Sequence, residues 1–383
     1  MDRSMMNRRE FGLAALALGA GLARVPADAA AAQASKPAAG MPAFRVDPDW
    51  PKIPNNWIFG PVTSIRVDEQ DHVWILQRPR SVRADQKEHA APPVLEFDPA
   101  GNFLRGWGGP GNGYDWPDNE HGFDLDPNGF VWITGNNPNF GRSRPNQSYD
   151  DMLLKFSKNG RFVMQIGGRT KSGGTRDTRS VHEAAECAFS RKTNEIFVAD
   201  GYGNRRIVVF DGNTGAFKRM WGAFGRPPED QPADVPYGQP GKFDGGEGPE
   251  HFGIVHAVRV SNDGHVYVGD RDNRRVQVFN LDGKYIKQVF VNMAAGPSRT
   301  ACGITFSPDG PQRLMYVCDF DHGRIFVFDR KTLAPIGSFG TQGKNIGEFV
   351  DVPYIATDSR SNLYSSETAG GRRAQKFLIK GTS

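Results

Sequence analysis

The sequence spells one phrase three times. VADGYGNRRIVVFD at 198–211 nearly recurs as VGDRDNRRVQVFN at 268–280 and more loosely as VCDFDHGRIFVFD at 317–329. Each copy is flanked by short stretches in which apolar and polar residues alternate, separated by turns that contain Gly, Asn or Asp. Such alternation is typical of β-strands. Because the pattern returns at a spacing of roughly 50 residues, the sequence predicts an array of similar β units.

Six such units can be placed along the chain, and each has four predicted strands except the last. The sixth unit has three, and the alternating stretch AFRVD at 43–47 supplies a fourth from the N-terminal side. Four-stranded units repeated around an axis are typical of a β-propeller. The motif D-x-x-N-x-R-[IV]-x-x-F also resembles the NHL repeat. We therefore predict an all-β protein, a six-bladed β-propeller of NHL type over 43–383, closed by its N-terminal strand.

The sequence of residues 1–34 predicts that the protein is exported from the cytoplasm. Arg8 and Arg9 are followed by Phe11, by an apolar run rich in Gly and Ala, and by small residues that suit cleavage. This order is typical of a twin-arginine signal peptide. The apolar run is too short for a membrane span. We therefore expect that this segment directs the chain to the periplasm and that the mature protein has no membrane span.

Charge and cysteine content limit the classes of partner. The formal net charge is +4 and the basic residues are scattered, so no basic patch indicates nucleic acid. Cys187, Cys302 and Cys318 are an odd set, each inside an apolar strand-like stretch. We expect buried core thiols and not a disulfide framework. A small molecule is the expected partner, and the sequence does not indicate an oligomeric state.

Gly and Pro concentrate in three long insertions, at 79–93, 136–150 and 226–251. Their lengths exceed those of ordinary connections, which predicts rims or lids over a site. The first strand of each propeller blade lines the central channel, so equivalent positions of the six units form rings around one axis. Residues that break the repeat at those positions are the best candidates for function.

Two histidines occupy the same axial position. His121 and His256 stand at the same interval before the strand ends at Gly135 and Asp270, at the start of the innermost strands of units two and four. Neutral imidazoles at a channel are suitable ligands for zinc and similar divalent metals. The alternative is that each ring only hydrogen-bonds a loop carbonyl. Glu186 stands at the same interval in unit three, where a carboxylate indicates a ligand, a base, or a bond to an Arg or a backbone turn.

A second ring follows the second strand of each unit. Arg78 and Arg271 hold the same position, one residue past the strand end, and Tyr202 lies in the corresponding loop of unit three. Two guanidinium groups at one position suit a carboxylate, which the planar fork binds with two hydrogen bonds. Other arginines repeat at the start of the third strands and are predicted to form blade-to-blade salt bridges with the repeated Asp residues: Arg205, Arg206, Arg274, Arg275 and Arg324.

Several stretches resemble the peptidyl-α-hydroxyglycine α-amidating lyases: FVADGYGNRRIVVF, VHAVRV with VYVGDRDNRRVQVF, EHGFDLDPNGFVW, and VTSIRVDEQDHVWILQR. Such lyases are six-bladed propellers that hold zinc by three axial histidines, with a tyrosine and two arginines beside the metal. The resemblance implies that His121 and His256 are metal ligands, that Tyr202 is the tyrosine, and that Arg78 and Arg271 are the arginines.

The third axial histidine is missing from the segment where the resemblance places it. DVPYIATD of the last unit contains Pro353 and Tyr354 instead, and no acidic calcium ligand is evident beside them. A three-histidine zinc site is therefore not expected, and neither is a structural calcium. Candidates for a substitute ligand are Tyr354, His182, Glu186 and His322. A different metal and a metal-free site are the alternatives.

Together these residues favour an exported metal-dependent enzyme of lyase type that acts on a small hydroxylated or carboxylated substrate at the propeller axis. Tyr202 would transfer the proton, with a pKa lowered by the metal and the arginine charges, while Arg78 and Arg271 would hold the substrate carboxylate. Two alternatives stay open. One is a hydrolase that resembles propeller lactonases, in which an axial metal activates water. The other is a non-catalytic NHL platform for binding.

Overall fold

The described residues contain twenty-four strands in six antiparallel sheets of four strands each. The structure is a computed structural model that describes residues 40–136, 148–230, 246–368 and 370–382. The predicted signal segment and parts of two predicted insertions, 137–147 and 231–245, lie outside these residues. Within the described ranges, no helix is both long and apolar enough to cross a membrane. The six sheets confirm the predicted six-bladed propeller.

The first strand, β1 (Pro42–Asp47), joins the last blade, and the other strands follow blade by blade from the axis outwards. Blade one contains β2 (Val62–Val67), β3 (Val73–Gln77), β4 (Val94–Phe97) and β5 (Phe103–Trp107). Blade two contains β6 (Glu120–Asp126), β7 (Phe130–Gly135), β8 (Met152–Ser157) and β9 (Phe162–Gly167). Blade three contains β10 (Glu186–Ser190), β11 (Glu195–Asp200), β12 (Arg206–Asp211) and β13 (Phe217–Trp221).

Blade four contains β14 (Val255–Val260), β15 (His265–Asp270), β16 (Arg275–Asn280) and β17 (Tyr285–Phe290). Blade five contains β18 (Ile304–Phe306), β19 (Leu314–Asp319), β20 (Arg324–Asp329) and β21 (Pro335–Phe339). Blade six contains β22 (Ile355–Thr357), β23 (Leu363–Glu367) and β24 (Arg373–Thr382). Short 3-10 helices lie in the connections, at Pro79–Ser81, Ala84–His89, Ala223–Gly225 and Met293–Ala295.

The N-terminal strand closes the ring. β1 pairs antiparallel with β24, in a sheet ordered β1-β24-β23-β22. The register places Val46 opposite Phe377, and a bulge lies between Ala43 and Phe44. Because an N-terminal and a C-terminal strand share this blade, the predicted closure by AFRVD is confirmed.

The hydrophobic core lies between adjacent blades. Trp74 of blade one and Phe123 of blade two, for example, are both fully buried and pack in one cluster. Burying a large apolar side chain stabilises the fold by about 1.5–3 kcal/mol. Cys187, Cys302 and Cys318 are buried free thiols, as predicted. The innermost strands contact one another around the axis, which places their first residues at one mouth of the channel.

The repeated Asp and Arg residues form ion pairs within blades. Asp200 ends β11, and its carboxylate accepts hydrogen bonds from Nε of Arg206 at 2.8 Å and from Nδ2 of Asn204 at 2.9 Å. Asp270 ends β15 and accepts from Nε of Arg275 at 2.8 Å. The predicted blade-to-blade salt bridges are wrong for these residues. The second and third strands are antiparallel neighbours, so the end of one lies opposite the start of the next.

The first arginine of each pair does link blades, but through backbone carbonyls. Nη1 of Arg205 donates to the carbonyl of Phe252 at 3.0 Å, in the connection to blade four. Nη1 of Arg274 donates to the carbonyl of Gly296 at 2.6 Å, in the connection to blade five. Arg324 of blade five is exposed. Arg205 and Arg274 therefore fix the connections that lead into the innermost strands.

Candidate active site on the propeller axis

Irregular strand pairing turns both axial histidines towards the channel. In blade four the register shifts between Val255 and Ala257, so His256 is an extra residue in β14. In blade two the shift falls between Glu120 and Phe123, around His121. A β-bulge re-aims a side chain and is common beside active sites. The ring centroids of the two histidines lie 5.1 Å apart.

Backbone carbonyls fix the orientation of both rings. Nδ1 of His121 lies 2.7 Å from the carbonyl oxygen of Ala185, and Nδ1 of His256 lies 2.7 Å from that of Cys302. A carbonyl can only accept, so each Nδ1 carries the proton and each neutral ring keeps a lone pair on Nε2. Both Nε2 atoms can therefore accept a proton or bind a metal.

Both histidines are held neutral. Burial is the largest cause that lowers the pKa of His121 well below its usual value, followed by the proximity of the second titratable ring, His256, and by the positive charge of Arg78. The pKa of His256 is lowered in the same way, by burial and then by Arg271. The low pKa values leave the lone pairs on Nε2 free of protons at neutral pH.

Two glycines allow the loop that contains Tyr202 to pack tightly. A Cβ atom on Gly201 would overlap the carbonyl oxygen of Val255, beside His256. A Cβ atom on Gly203 would overlap the ring of His182. The sequence DGYGN therefore places the tyrosine against the innermost strand of the next blade, where only glycine fits on either side.

The Tyr202 hydroxyl group joins the histidine and the arginine of the site. It lies 3.0 Å from Nε2 of His121 and 3.1 Å from Nη1 of Arg271. Because the guanidinium can only donate, the tyrosine donates its proton to Nε2. Tyr202 is 4% exposed and Arg271 is 6% exposed. The structure thus brings together three predicted residues in one hydrogen-bonded chain.

Burial raises the pKa of Tyr202 above its usual value, and the positive charges of Arg271 and Arg78 oppose this effect without reversing it. The arginine charges alone therefore do not produce the predicted lowering of the tyrosine pKa. A phenol in this environment ionises only if the proton has an acceptor close by, and Nε2 of His121 is in that position.

Arg78 is a cation without a carboxylate partner. Its Nε donates to the carbonyl of Glu120 at 2.7 Å, and its Nη2 donates to Oδ1 of Asn136 at 3.2 Å. No ion pair to Arg78 occurs within the described ranges, and burial lowers its pKa. Nε of Arg271, in contrast, pairs with Asp272 at 2.8 Å. An anion bound at the axis would therefore compensate the charge of Arg78.

The described residues offer two imidazole ligands for a metal but no complete three-ligand set. A carbonyl that holds Nδ1 is the usual support of a metal-binding histidine. Catalytic zinc takes three protein ligands. Among His, Cys, Asp and Glu of the described residues, only Asp68, His72 and Glu96 of blade one bring three such atoms together, and Lys158 already pairs with Asp68 at 3.0 Å. The described His, Cys, Asp and Glu side chains therefore do not supply a three-ligand zinc site at the axis.

The predicted substitute ligands His182, His322 and Tyr354 already have other hydrogen-bond partners. Nδ1 of His182 lies 2.7 Å from Oδ1 of Asp151, and Nδ1 of His322 lies 2.9 Å from Oδ1 of Asp319. The hydroxyl group of Tyr354 donates to backbone carbonyls. Neither His182 nor His322 completes a cluster with the two axial histidines in the part of the chain that is described.

Glu186 lies among ion pairs at the centre of the propeller and not with the two histidines. Blade three has no bulge at this position, because Glu186 pairs regularly with Ala199. Its carboxylate accepts hydrogen bonds from Arg66 at 2.5 Å, from Arg259 at 2.8 Å and from the backbone N–H of Val258 at 2.9 Å. Of the alternatives predicted for Glu186, the contacts agree with a bond to an Arg and to the backbone. A polar cavity of about 450 Å³ lies beyond the two arginines.

Several residues of the site were not predicted from the sequence. Asp272 neutralises the arginine that precedes it, which its neighbouring position in the repeat could have indicated. Arg299 contributes to the low pKa of His256, and no repeat position marks it. The carbonyl groups of Ala185 and Cys302 have no sequence signal, because any residue type supplies a carbonyl.

Comparisons with known proteins agree with this fold. The NHL repeat family model matches residues 252–279. NHL repeat-containing protein 3 of Homo sapiens is 27% identical over 349 residues, which is 88% of this chain and 84% of the human protein. Peptidyl-glycine alpha-amidating monooxygenase A of Xenopus laevis is 26% identical over 263 residues, 63% of this chain but 24% of the Xenopus protein. Peptidylglycine alpha-amidating monooxygenase of Rattus norvegicus is 28% identical over 171 residues, 44% of this chain and 14% of the rat protein. The chain is a six-bladed propeller that matches the NHL repeat model over 252–279 and whose sequence resembles part of the peptidylglycine alpha-amidating monooxygenases.

Proposed function

We propose that the axial site is the active site of a lyase that acts on a small hydroxylated carboxylate. The observation that carries this proposal is the Tyr202 hydroxyl group, held between Nε2 of His121 and Nη1 of Arg271. A buried phenol between a neutral base and a cation is a suitable group for proton transfer. The sequence resemblance to peptidyl-α-hydroxyglycine α-amidating lyases supports a reaction at a hydroxylated carbon next to a carboxylate.

The two arginines bind and orient the substrate in this proposal. Arg78 lacks a carboxylate partner in the described residues, and Arg271 keeps donors beyond those used by Asp272 and Tyr202. A guanidinium binds a carboxylate with parallel hydrogen bonds, which places the neighbouring hydroxylated carbon at a defined position. The substrate hydroxyl group would then meet Tyr202.

Proton transfer runs from the substrate through the tyrosine to the histidine. The substrate hydroxyl gives its proton to the Tyr202 oxygen as the tyrosine gives its own to Nε2 of His121. The freed oxygen forms a carbonyl as the bond from the same carbon to the leaving group breaks, and the leaving group takes a proton back along the same chain. General acid-base catalysis of this kind contributes about 10²–10⁴ in rate.

N-acetyl-α-hydroxyglycine, a small hydroxylated carboxylate, tests the reaction. We expect the purified protein to release glyoxylate, and Tyr202→Phe to lower the rate by at least about a hundredfold, because it removes the proton-transfer group. Tyr364→Phe is the matched control, since that buried tyrosine donates only to Asp358, at 3.0 Å. No turnover, together with equal binding of glycolate by both variants, would favour a non-catalytic binding platform.

Two neutral imidazoles with carbonyl-bound Nδ1 atoms favour a second candidate, in which His121 and His256 hold a divalent metal. When bound, such a metal supplies Lewis acidity to a substrate oxygen. The metal would bind the lone pair on Nε2 of His121, which in the first candidate accepts the Tyr202 proton, so the two candidates use the same atom in different ways. Elemental analysis of protein prepared without chelators decides between the two candidates. Stoichiometric metal that is lost in His121→Ala and His256→Ala would support this second candidate, and metal-free active protein would refute it.

We also propose that the protein acts in the periplasm, from the paired arginines and the apolar run that follows them. Replacing Arg8 and Arg9 together by Lys should retain the protein in the cytoplasm, because twin-arginine export depends on the pair. Osmotic-shock fractionation measures the distribution. An unchanged periplasmic fraction would refute a twin-arginine signal.

A further inference from the structure

Tyr354 lies directly against both axial histidines. It is fully buried in blade six, and its ring stacks on that of His256 with centroids 5.2 Å apart and an angle of 18°. The ring of His121 meets it edge-on, at 6.1 Å and 88°. A side chain from a third blade thus packs on both imidazoles.

The hydroxyl group of Tyr354 contacts the backbone that supports each ring. It donates to the carbonyl oxygen of His256 at 2.9 Å and lies 3.3 Å from that of Ala185. The Ala185 carbonyl also accepts the Nδ1 proton of His121. One hydroxyl group therefore ties the main chain of one histidine to the acceptor that orients the other.

On its other side Tyr354 faces the ion pairs that fill the centre of the propeller. The guanidinium of Arg66 lies 5.8 Å from the ring centroid. Arg66 and Arg259 share the carboxylate of Glu186, which is fully buried. The tyrosine ring thus stands between neutral imidazoles and a charged cluster. Without it, the imidazoles would face those charges directly.

We propose that Tyr354 is a positioning residue that fixes the ring orientation and the Nδ1–H tautomer of His121 and His256. It keeps both Nε2 atoms turned away from the ion pairs, and Nε2 of His121 at the Tyr202 hydroxyl group. This role rests on the proposed function in one respect, since Tyr202 needs Nε2 of His121 as its acceptor. It does not depend on which substrate the site binds.

Nitrogen NMR of protein labelled with ¹⁵N-histidine tests this role. The wild-type protein should show the Nδ1–H tautomer for both rings. Tyr354→Phe keeps the stacking and removes the hydroxyl group, so the tautomer ratio of at least one ring should shift about fivefold, the effect of one ordinary hydrogen bond. Tyr364→Phe removes a buried hydroxyl from the same blade and should leave both rings unchanged. Identical histidine spectra for Tyr354→Phe and wild type would overturn the proposal.

A measurement on the unsubstituted protein covers the case in which Tyr354→Phe does not fold. The hydroxyl proton of Tyr354 should exchange with water at least about tenfold more slowly than that of the partly exposed Tyr149. Equal exchange rates would show that the hydroxyl group does not hold the carbonyls. Calorimetric titration with glycolate tests the proposed function separately, because absence of binding would refute the carboxylate site and leave the tautomer result standing.

Discussion

Glu120 should make the protein less stable as the pH rises. The residue is 1% exposed, and Oε1 accepts a hydrogen bond from Trp116 at 2.7 Å. Oε2 has no hydrogen-bond partner within the described residues. Burial raises the pKa of this carboxyl group from 4.5 to about 7, against the opposing effects of Trp116 and Arg78. The folded protein therefore favours the protonated form.

The size of the effect follows from the two pKa values. In the unfolded chain the group ionises near pH 4.5, so between there and about pH 7 the folded state keeps a proton that the unfolded state has released. The stabilisation is complete below pH 4.5 and is lost as the pH rises through about 7. A pKa difference between 4.5 and about 7 corresponds to about 3 kcal/mol, at ~1.4 kcal/mol for each pH unit.

Urea unfolding of Glu120→Gln measures this quantity. The amide keeps an acceptor for Trp116 and does not ionise. The free energy of unfolding of the variant should therefore exceed that of wild type by about 3 kcal/mol at pH 8.5 and equal it at pH 4.5. Glu195→Gln is a control of opposite sign, because hydrogen bonds from Arg219 lower the pKa of that carboxyl group. Its deficit should be present at pH 8.5 and shrink as the pH falls below 4.5. A gap for Glu120→Gln that is equal at both pH values would refute the reasoning.

Two further substitutions test how the repeat supports the site. Arg206 is buried and pairs with a buried carboxylate, so Arg206→Met should lower the free energy of unfolding by about 3–5 kcal/mol. Arg324→Met, at the equivalent exposed position, should change it by less than about 0.5 kcal/mol in the same urea titration. Gly203→Ala drives a methyl group into the ring of His182, so it should cost about 1–3 kcal/mol and weaken glycolate binding. Gly310→Ala has open space around the new methyl group and should leave the free energy of unfolding unchanged. An equal loss of stability in both arginine variants, or in both glycine variants, would contradict these assignments.

The fold could be predicted because each blade is local. The strands of the first five blades are consecutive, so alternation, turn residues and repeat spacing define them without any long-range information. The same regularity placed Arg78 and Arg271 at equivalent positions, and placed Tyr202 in the equivalent loop of blade three. Residues that follow a strand end are fixed by the strand itself, which is why this part of the site was visible in the sequence.

The spacing of residues along the chain does not predict which way a side chain points where the strand pairing is irregular. His121, His256 and Glu186 stand at the same interval from their strand ends, yet only the histidines lie in irregular pairing. In blade three the pairing is regular, so the carboxylate turns to Arg66 and Arg259 instead. An interval along the chain does not show whether the extra residue lies in the strand or in the hairpin turn. Sequence periodicity cannot separate these two cases.

The charges along the axis indicate how a bound carboxylate would change the proposed reaction. At the centre, Arg66 pairs with Asp124 and Glu186, so positive and negative charges balance. At the mouth, the positive charges of Arg78 and Arg271 lower the pKa of His121, after burial and His256. A substrate carboxylate between those arginines would offset their charge, which favours the protonated imidazole. Binding would therefore make His121 a stronger base when its proton donor arrives, and a substrate analogue without the carboxylate would lose rate as well as affinity.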